Sequence, residues 1–194
     1  MVYCGVDPGL SGAIAVLDGN LVEFHDTPTV SIKVGKSLKN QMDPGACSLL
    51  ISAIAQEHRD NVMVIIEKVA PMPSFNRSAE GVAEATRTMG ATSAFNFGMG
   101  FGMWIGICAA SLIPYQLVHP ATWKRRIMAD MDKGKEAGRI KAMQLYPHTA
   151  ERLKLKKHHG RADALLLAHF GKLTYSLQMI EAPVAEVEQE ELAF

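Results

Sequence analysis

The stretch at residues 3–20, YCGVDPGLSGAIAVLDGN, sets how this chain begins. An apolar run leads to a single carboxylate, Asp7, which is followed at once by Pro8 and Gly9, and a second apolar run begins at Gly12. This pattern predicts two buried strands joined by a glycine-bearing turn. A carboxylate at the end of a buried strand can belong to a phosphate cradle, to a metal site or to an ordinary turn.

The bulk composition indicates a single soluble domain in a reducing compartment. The chain has 194 residues, a formal net charge of zero and three cysteines without CxxC spacing. We expect buried thiols rather than a disulfide framework or a zinc site. Because the sequence opens directly into a strand pattern and not into a signal peptide, we expect a cytoplasmic protein.

Residues 89–118 contain no charged side chain and are long enough to suggest a membrane span. Five glycines and Pro114 interrupt this stretch, however. We therefore expect a buried helix followed by a strand, with no membrane contact. Gly98, Gly102 and Gly106 give this helix one flat face, which suits either internal packing or a homodimer interface.

Strand and helix patterns alternate in an order typical of an α/β protein. Strands are predicted over 2–7, 12–18, 20–26, 62–67 and 113–118, and helices over 44–59, 94–110, 120–131, 135–146 and 160–180. Asp43 should cap the first helix, with Leu49, Leu50, Ala53 and Ile54 on its inner face. Residues 27–42 are predicted to form a basic loop, and 68–93 a long loop with a short helix near 79–88. The order predicts a mixed sheet with antiparallel opening hairpins and later parallel strands, flanked by helices.

Three carboxylates occupy informative positions in this order. Asp7 ends the first strand, Glu67 ends the buried strand VMVIIE, and Asp163 lies at the start of the last helix. If the first and fourth strands are neighbours, Asp7 and Glu67 emerge side by side and must bind a cation or share a proton. Oxygen ligands favour Mg²⁺, or Mn²⁺ in its place, and two such ions can activate water and stabilise the leaving oxygen of a phosphodiester.

His159 precedes Asp163 by one helical turn, so it could bind the metal or move a proton. The structural alternatives are ordinary: Asp7 as a turn residue, Glu67 in an ion pair with Lys68, and His159 as a solvated surface side chain. Each alternative is credible singly, but together they account poorly for three carboxylates at matching topological positions.

At these residues the sequence resembles the RuvC-type Holliday junction resolvases of the ribonuclease H-like superfamily, in particular their bacteriophage relatives. The resemblance covers nearly all of residues 1–176. It is carried by GVDPGLSGAIAVLDG, VIIEKVAPMP, FNFGMGFGMWIGICAA, IPYQLVHPATWKRRI and KKHHGRADALLLAHFG, in this order.

The resemblance implies a ribonuclease H-like five-stranded sheet and a homodimer that nicks opposed strands of a four-way DNA junction. The metal ligands of the family map onto Asp7, Glu67 and Asp163. Many members have an Asp or His three residues before the last ligand, where this chain has Gly160, so His159 is the nearest candidate for a fourth ligand. The basic residues of the family resemble Lys124 and Lys135, and a junction-probing aromatic residue would be Phe75.

The charge distribution agrees with a nucleic-acid partner. Residues 120–161 contain twelve Lys or Arg and four acidic residues, whereas residues 181–194 contain five glutamates and no basic residue. The candidate DNA contacts are Lys124, Arg125, Lys135, Arg139, Lys156, Lys157, Arg161 and Phe75. We expect a nuclease domain over 1–179 and a disordered acidic tail over 180–194.

Three functions compete at this point. The first is a Mg²⁺-dependent endonuclease that resolves branched DNA. The second is a catalytically silent junction-binding protein on the same scaffold, for which the glycine at position 160 is the support. The third is a sugar-kinase-like ATP-binding domain, which also opens with Asp-x-Gly and hairpin strands but usually needs a second lobe.

Overall fold

In the computed structural model, which describes residues 1–69, 90–132, 134 and 136–181, a five-stranded sheet lies between two layers of helices. The strands are β1 Val2–Asp7, β2 Ala13–Asp18, β3 Leu21–Asp26, β4 Thr29–Val34, β5 Ser37–Met42, β6 Val62–Glu67 and β7 Tyr115–Val118. The helices are α1 Pro44–Glu57, α2 Ala91–Ala110, α3 Pro120–Ile127, α4 Ala137–Leu145, α5 Ala150–Leu153 and α6 His159–Glu181. Short 3₁₀ turns precede α5 and α6.

The sheet has the order β3-β2-β1-β6-β7, with β1 at its centre. The strand β1 runs antiparallel to β2 and parallel to β6, and β6 runs parallel to β7. Gly19 and Asn20 form the turn between β2 and β3, across which Asp18 pairs with Leu21, and Gly19 has a φ of 57°. The predicted mixed sheet of antiparallel hairpins followed by parallel strands is confirmed.

The side chains of β1 alternate between two cores, as the period of a strand requires. Tyr3 packs towards α3, α4 and α6, whereas Cys4 and Val6 pack towards α1 and α2. Gly5 lies directly under α6, and a Cβ atom built on it would stand 1.9 Å from the carbonyl oxygen of Ala164. The three cysteines are unpaired and buried, as predicted.

Residues 27–42 were predicted to form a loop, and this was wrong. They contain an antiparallel two-stranded hairpin, β4–β5, in which Val34 pairs with Ser37 across a turn. Gly35 has a φ of 61° in this turn, a conformation that favours glycine. Alternation of valine and isoleucine with polar residues at 29–34 was the strand signal, and the lysines of the segment obscured it.

The first helix begins as predicted but presents a different face to the core. Asp43 caps it by accepting a hydrogen bond from the backbone of Ala46 at 3.0 Å. Its buried residues are Cys47, Ile51, Ile54 and Ala55, whereas Leu49 is 74% exposed. Of the predicted inner face, Ile54 is buried and Leu50 packs against the same core while partly buried, whereas Leu49 and Ala53 are exposed.

The helix α2 buries one face and exposes the other. Trp104 and Cys108 are fully buried against the sheet, while Phe95 is 69% exposed and Met99 is 53% exposed. By length and composition Ser93–Ala110 would pass as a membrane span, although a single helix of this kind is weak evidence for one. Only 17% of this window is buried, so the prediction of a buried helix was wrong for most of α2. Among the described residues, Cβ atoms built on Gly98, Gly102 and Gly106 meet no atom within 4 Å, so no described part of the chain packs closely against these three glycines.

Candidate active site

Asp7 and Glu67 lie at the same edge of the sheet because their strands are parallel neighbours. Val6 pairs with Ile66 in the register of β1 and β6, so the two carboxylates follow at corresponding positions. Behind Asp7, the turn closes with a hydrogen bond from the amide of Gly12 to the carbonyl of Gly9 at 3.0 Å. The parallel pairing thus delivers two negative charges to one place.

The third carboxylate, Asp163, reaches this edge from the first turns of α6. Burial raises the pKa of Asp7 to about 7, and the charges of Asp163 and Glu67 add to this shift. Burial also raises the pKa of Asp163 to about 6, opposed by the charge of Lys124 and reinforced by that of Glu67. The three carboxylates are therefore electrostatically coupled. Without a cation, ionising all three at once costs free energy, because they are partly buried and repel one another.

His159 is exposed at the start of α6, and its charge acts on the pKa of both Asp7 and Asp163 in the lowering direction. Gly160 is buried against the turn after β1. A Cβ atom built there would lie 2.5 Å from the carbonyl oxygen of Ser11 and 3.0 Å from Oδ2 of Asp7. No side chain fits at position 160 in this arrangement, so a fourth protein ligand has to come from elsewhere, and His159 is next to it.

Mg²⁺ fits the chemistry of this site better than a soft metal does. The donors are carboxylate oxygens at a partly buried sheet edge, and their coupled charges call for a cation. Among the described residues, no three Asp, Glu, His or Cys side chains lie close enough together to hold a metal ion between them. Mg²⁺ commonly binds through one or two carboxylates and keeps several waters, so it does not need three protein ligands in one cluster. Asp7, Glu67 and Asp163, with His159, are the residues that would hold it.

A groove of about 770 Å³ adjoins Asp163. Its lining includes Lys124 and Arg125 from α3, but also a second acidic residue, Asp132, so the two lysine and arginine charges are matched by two carboxylates. Both basic side chains belong to exposed residues. The groove thus leads from two exposed basic side chains to a carboxylate of the site.

The other predicted DNA contacts divide into two groups. Arg139 is paired with Glu136 and donates to the carbonyl of Leu153 at 2.7 Å, and Arg161 donates two hydrogen bonds of 2.6 Å to Asp26. These two guanidinium groups are engaged within the fold. Two lysines of the 3₁₀ turn before α6 are exposed, namely Lys156 and Lys157. Lys135 and Phe75 lie outside the described residues, as does the acidic segment 182–194.

Sequence reasoning missed one polar contact of the site. The indole Nε1 of Trp123 donates a hydrogen bond of 3.0 Å to Oε1 of Glu67, and the side chain of Trp123 is fully buried. The sequence WKRR shows a tryptophan at the start of a basic helix but not which polar atom it meets. Only the packing of α3 against the sheet reveals this partner.

Comparisons with known proteins give the following picture. No family model and no curated protein sequence matches this chain. Among solved structures, the chain is similar to RuvC of Thermus thermophilus at 17% identity, covering 92% of this chain and 97% of that chain, with a TM-score of 0.49. It is also similar to T. thermophilus RuvC in complex with a Holliday junction substrate at 15% identity, covering 92% and 96%, with a TM-score of 0.48. A likeness at this level does not by itself assign an activity.

Proposed function

We propose that this protein is a structure-selective, Mg²⁺-dependent DNA endonuclease that resolves four-way junctions and other branched DNA. The observation that carries the proposal is the coupling of Asp7, Glu67 and Asp163 at one sheet edge, with burial holding the pKa of two of them far above the usual range. Perturbed carboxylates of this kind cluster at functional sites. The motif resemblance supports a bacteriophage-type resolvase acting in the cytoplasm.

The residues of the site suit hydrolysis of a phosphodiester. Asp7 and Glu67 would hold one cation, and Asp163 with His159 would hold a second. Bound Mg²⁺ would supply an activated water and stabilise charge on the leaving oxygen. Lys124, beside Asp163, neutralises charge on the scissile phosphate. Because these groups sit on two strands and two helices rather than on free loops, their positions are fixed before DNA arrives.

The groove beside Asp163 supports a path for one DNA strand. Lys124 and Arg125 line it, and the exposed Lys156 and Lys157 extend the positive surface on the chain segment leading into α6. Contacts of this kind bind phosphates without reading sequence, and they weaken with salt. Arg139 and Arg161 stabilise the local fold beneath this surface, because each forms an ion pair with a carboxylate of the same chain.

We also propose a homodimer formed through α2, which would place two active sites on opposed strands of a junction and give paired, symmetric nicks. Phe95 and Met99 are exposed on this helix, and the glycines beside them let another backbone approach closely. An exposed apolar face of this kind on a soluble protein marks an interaction surface. A twofold axis lets the same face serve both copies.

The change Gly102→Glu is expected to convert the dimer to a monomer, because a charge at this flat position would be buried unpaired between two helices. Sedimentation velocity measures this directly. The matched control is Ser52→Glu on the exposed side of α1, which should remain dimeric. A monomeric wild-type protein at the concentrations used for cleavage would contradict the proposed interface.

The test of the function is cleavage of an end-labelled four-way junction, with a linear duplex of the same sequence as control. We expect paired nicks in the junction alone with Mg²⁺, and none with EDTA. Tight binding without nicks in either Mg²⁺ or Mn²⁺ would favour the silent junction-binding protein, for which the closed position at Gly160 is the specific support. Cleavage that persists in EDTA would overturn the proposed metal chemistry.

A further inference from the structure

The position of Trp123 follows from the strand next to Glu67. In the register of β6 and β7, Glu67 pairs with Val118, and the amide of Lys68 donates to the carbonyl of Val118 at 2.8 Å. The helix α3 begins directly after this strand, with His119 as its cap and Pro120 in its first turn. One turn of helix therefore brings the side chain at position 123 back over the carboxylate at the end of β6.

The hydrogen bond from Trp123 to Glu67 fixes the orientation of the Glu67 carboxylate in addition to the packing that the ring provides. The indole N–H is a donor only, and in a fully buried side chain it needs an acceptor, which Oε1 of Glu67 provides at 3.0 Å. This bond occupies one carboxylate oxygen and leaves the other for a ligand. A buried ring cannot change rotamer freely, so the carboxylate that it holds is restricted as well.

The residue after Trp123, Lys124, connects this contact to a second carboxylate of the site, Asp163. The ammonium nitrogen of Lys124 stands 5.0 Å from the centre of the Trp123 ring. The same lysine charge acts on Asp163, the carboxylate that approaches from α6. The start of α3 therefore contacts Glu67 through the indole and influences Asp163 through the ammonium group.

We propose that Trp123 is a positioning residue that holds the Glu67 carboxylate in the orientation needed for cation binding. This inference rests on the proposed metal site and names a residue that acts on it through Glu67. Hydrogen bonds to metal-ligating groups typically contribute 10- to 100-fold in metal affinity. We therefore expect Trp123→Phe, which keeps an aromatic ring but removes the donor, to weaken Mn²⁺ and Mg²⁺ binding by about 10- to 100-fold.

The chain supplies its own matched control. It has two tryptophans, both fully buried, and Trp104 Nε1 has no hydrogen-bond partner among the described residues. Trp104→Phe removes the same atoms from the opposite core without touching Glu67. Calorimetric titration of the DNA-free protein with Mn²⁺ should therefore show weakened binding for Trp123→Phe and unchanged binding for Trp104→Phe. In cleavage assays, raising the Mg²⁺ concentration should restore most of the rate of Trp123→Phe.

A spectroscopic measurement covers the case in which Trp123→Phe does not fold. In Trp104→Phe the only remaining indole is Trp123, so Mn²⁺ added without DNA should change its emission at the concentrations that calorimetry reports. The additional change Asp7→Asn should shift this response to higher Mn²⁺ concentration. If the fluorescence emission of Trp123 does not change while calorimetry shows Mn²⁺ binding, the proposed role of Trp123 is wrong.

The outcomes separate this inference from the proposed function. If the wild-type protein binds Mn²⁺ and both phenylalanine variants bind it equally well, the positioning role is wrong and the metal site stands. If the wild-type protein binds no cation with or without junction DNA, the metal site and the role of Trp123 fail together. Weakened binding confined to Trp123→Phe supports both.

Discussion

Replacement of Asp7 by asparagine is expected to lower Mg²⁺-dependent junction cleavage by roughly a thousandfold or more, because groups that act as a unit in catalysis are not replaced by their neighbours. Asp7 is coupled to both of the other carboxylates, because the charges of Asp163 and Glu67 add to the rise in its pKa that burial causes. Junction affinity in EDTA should be unchanged, because the proposed phosphate contacts come from Lys124, Arg125 and the exposed lysines before α6. Single-turnover cleavage and filter binding measure the two effects separately.

The matched control is Asp18→Asn. Asp18 also ends a strand of the central sheet, but it is exposed at the turn into β3, at the opposite edge from Asp7. This variant should cleave like the wild-type protein. Full cleavage by Asp7→Asn would remove this carboxylate from the mechanism.

The same Asp7→Asn change should stabilise the metal-free protein at neutral and alkaline pH. The pKa of Asp7 is about 7 in the folded protein against an ordinary value of 3.8, so folding costs more free energy once the carboxylate ionises. This cost is absent below pH 4, grows as the pH rises towards 7 and is then constant. The shift corresponds to at most about 4 kcal/mol, and we expect about 1–2 kcal/mol after the site takes up water and counterions.

Urea unfolding of the DNA-free protein in EDTA measures this effect across the pH range. Wild-type protein and Asp7→Asn should differ little at pH 4 and diverge towards pH 8, and Mg²⁺ should narrow the gap by stabilising the wild-type protein alone. A wild-type protein that becomes more stable than the variant as the pH rises would contradict the repulsion inferred at this site.

Gly5→Ala is expected to destabilise the fold by about 3–5 kcal/mol, because overpacking against backbone cannot be relieved by a rotamer change. The built Cβ atom would lie 1.9 Å from the carbonyl oxygen of Ala164 and 2.6 Å from the amide nitrogen of Ala168. The helix α6 would have to move away from β1, and Asp163 would move with it. Cleavage should therefore fall together with stability.

Urea denaturation again gives the measurement, and Gly134→Ala is the control. A Cβ atom built on Gly134 meets no atom of the described residues within 4 Å, so that variant should unfold within about 0.5 kcal/mol of the wild-type protein, as surface substitutions usually do. A Gly5→Ala protein as stable as Gly134→Ala would show that the approach of α6 to β1 is looser than the structure has it.

The sheet was accessible from sequence because its signals are local. Alternating apolar residues, the Asp18-Gly19 turn and the continuous apolar run at 62–67 each act within one strand. The hairpin at 29–42 contains three lysines. Their charge suggested a loop, although the alternation of apolar and polar residues at 29–34 is typical of a strand. Leu49 was placed inward for a related reason: apolar character alone does not say which side of a helix meets a sheet.

The candidate site shows the same division. Strand order and strand ends in the sequence were enough to propose Asp7, Glu67 and Asp163 together. The interest of Gly160 came from the motif resemblance, which implies a ligand at that position in many members of the family. The partner of Arg161 was not accessible, since the carboxylate of Asp26 lies 135 positions away in the chain. Glu136 lies only three positions from Arg139, so that ion pair was available from helical spacing and was missed. A basic residue looks the same in sequence whether it meets DNA or an internal carboxylate.

By itself, the sequence determined the five strands of the central sheet, the longer helices and the order in which they follow one another. It also placed the carboxylates at the strand ends, because these features depend on residue periodicity and turn chemistry within a few positions. The tertiary structure alone decided that Trp123 meets Glu67, that Gly160 has no room for a side chain and that α2 leaves an apolar face exposed. Those features depend on distances of a few ångströms between segments far apart in the chain, and such distances are set by how helices pack on the sheet.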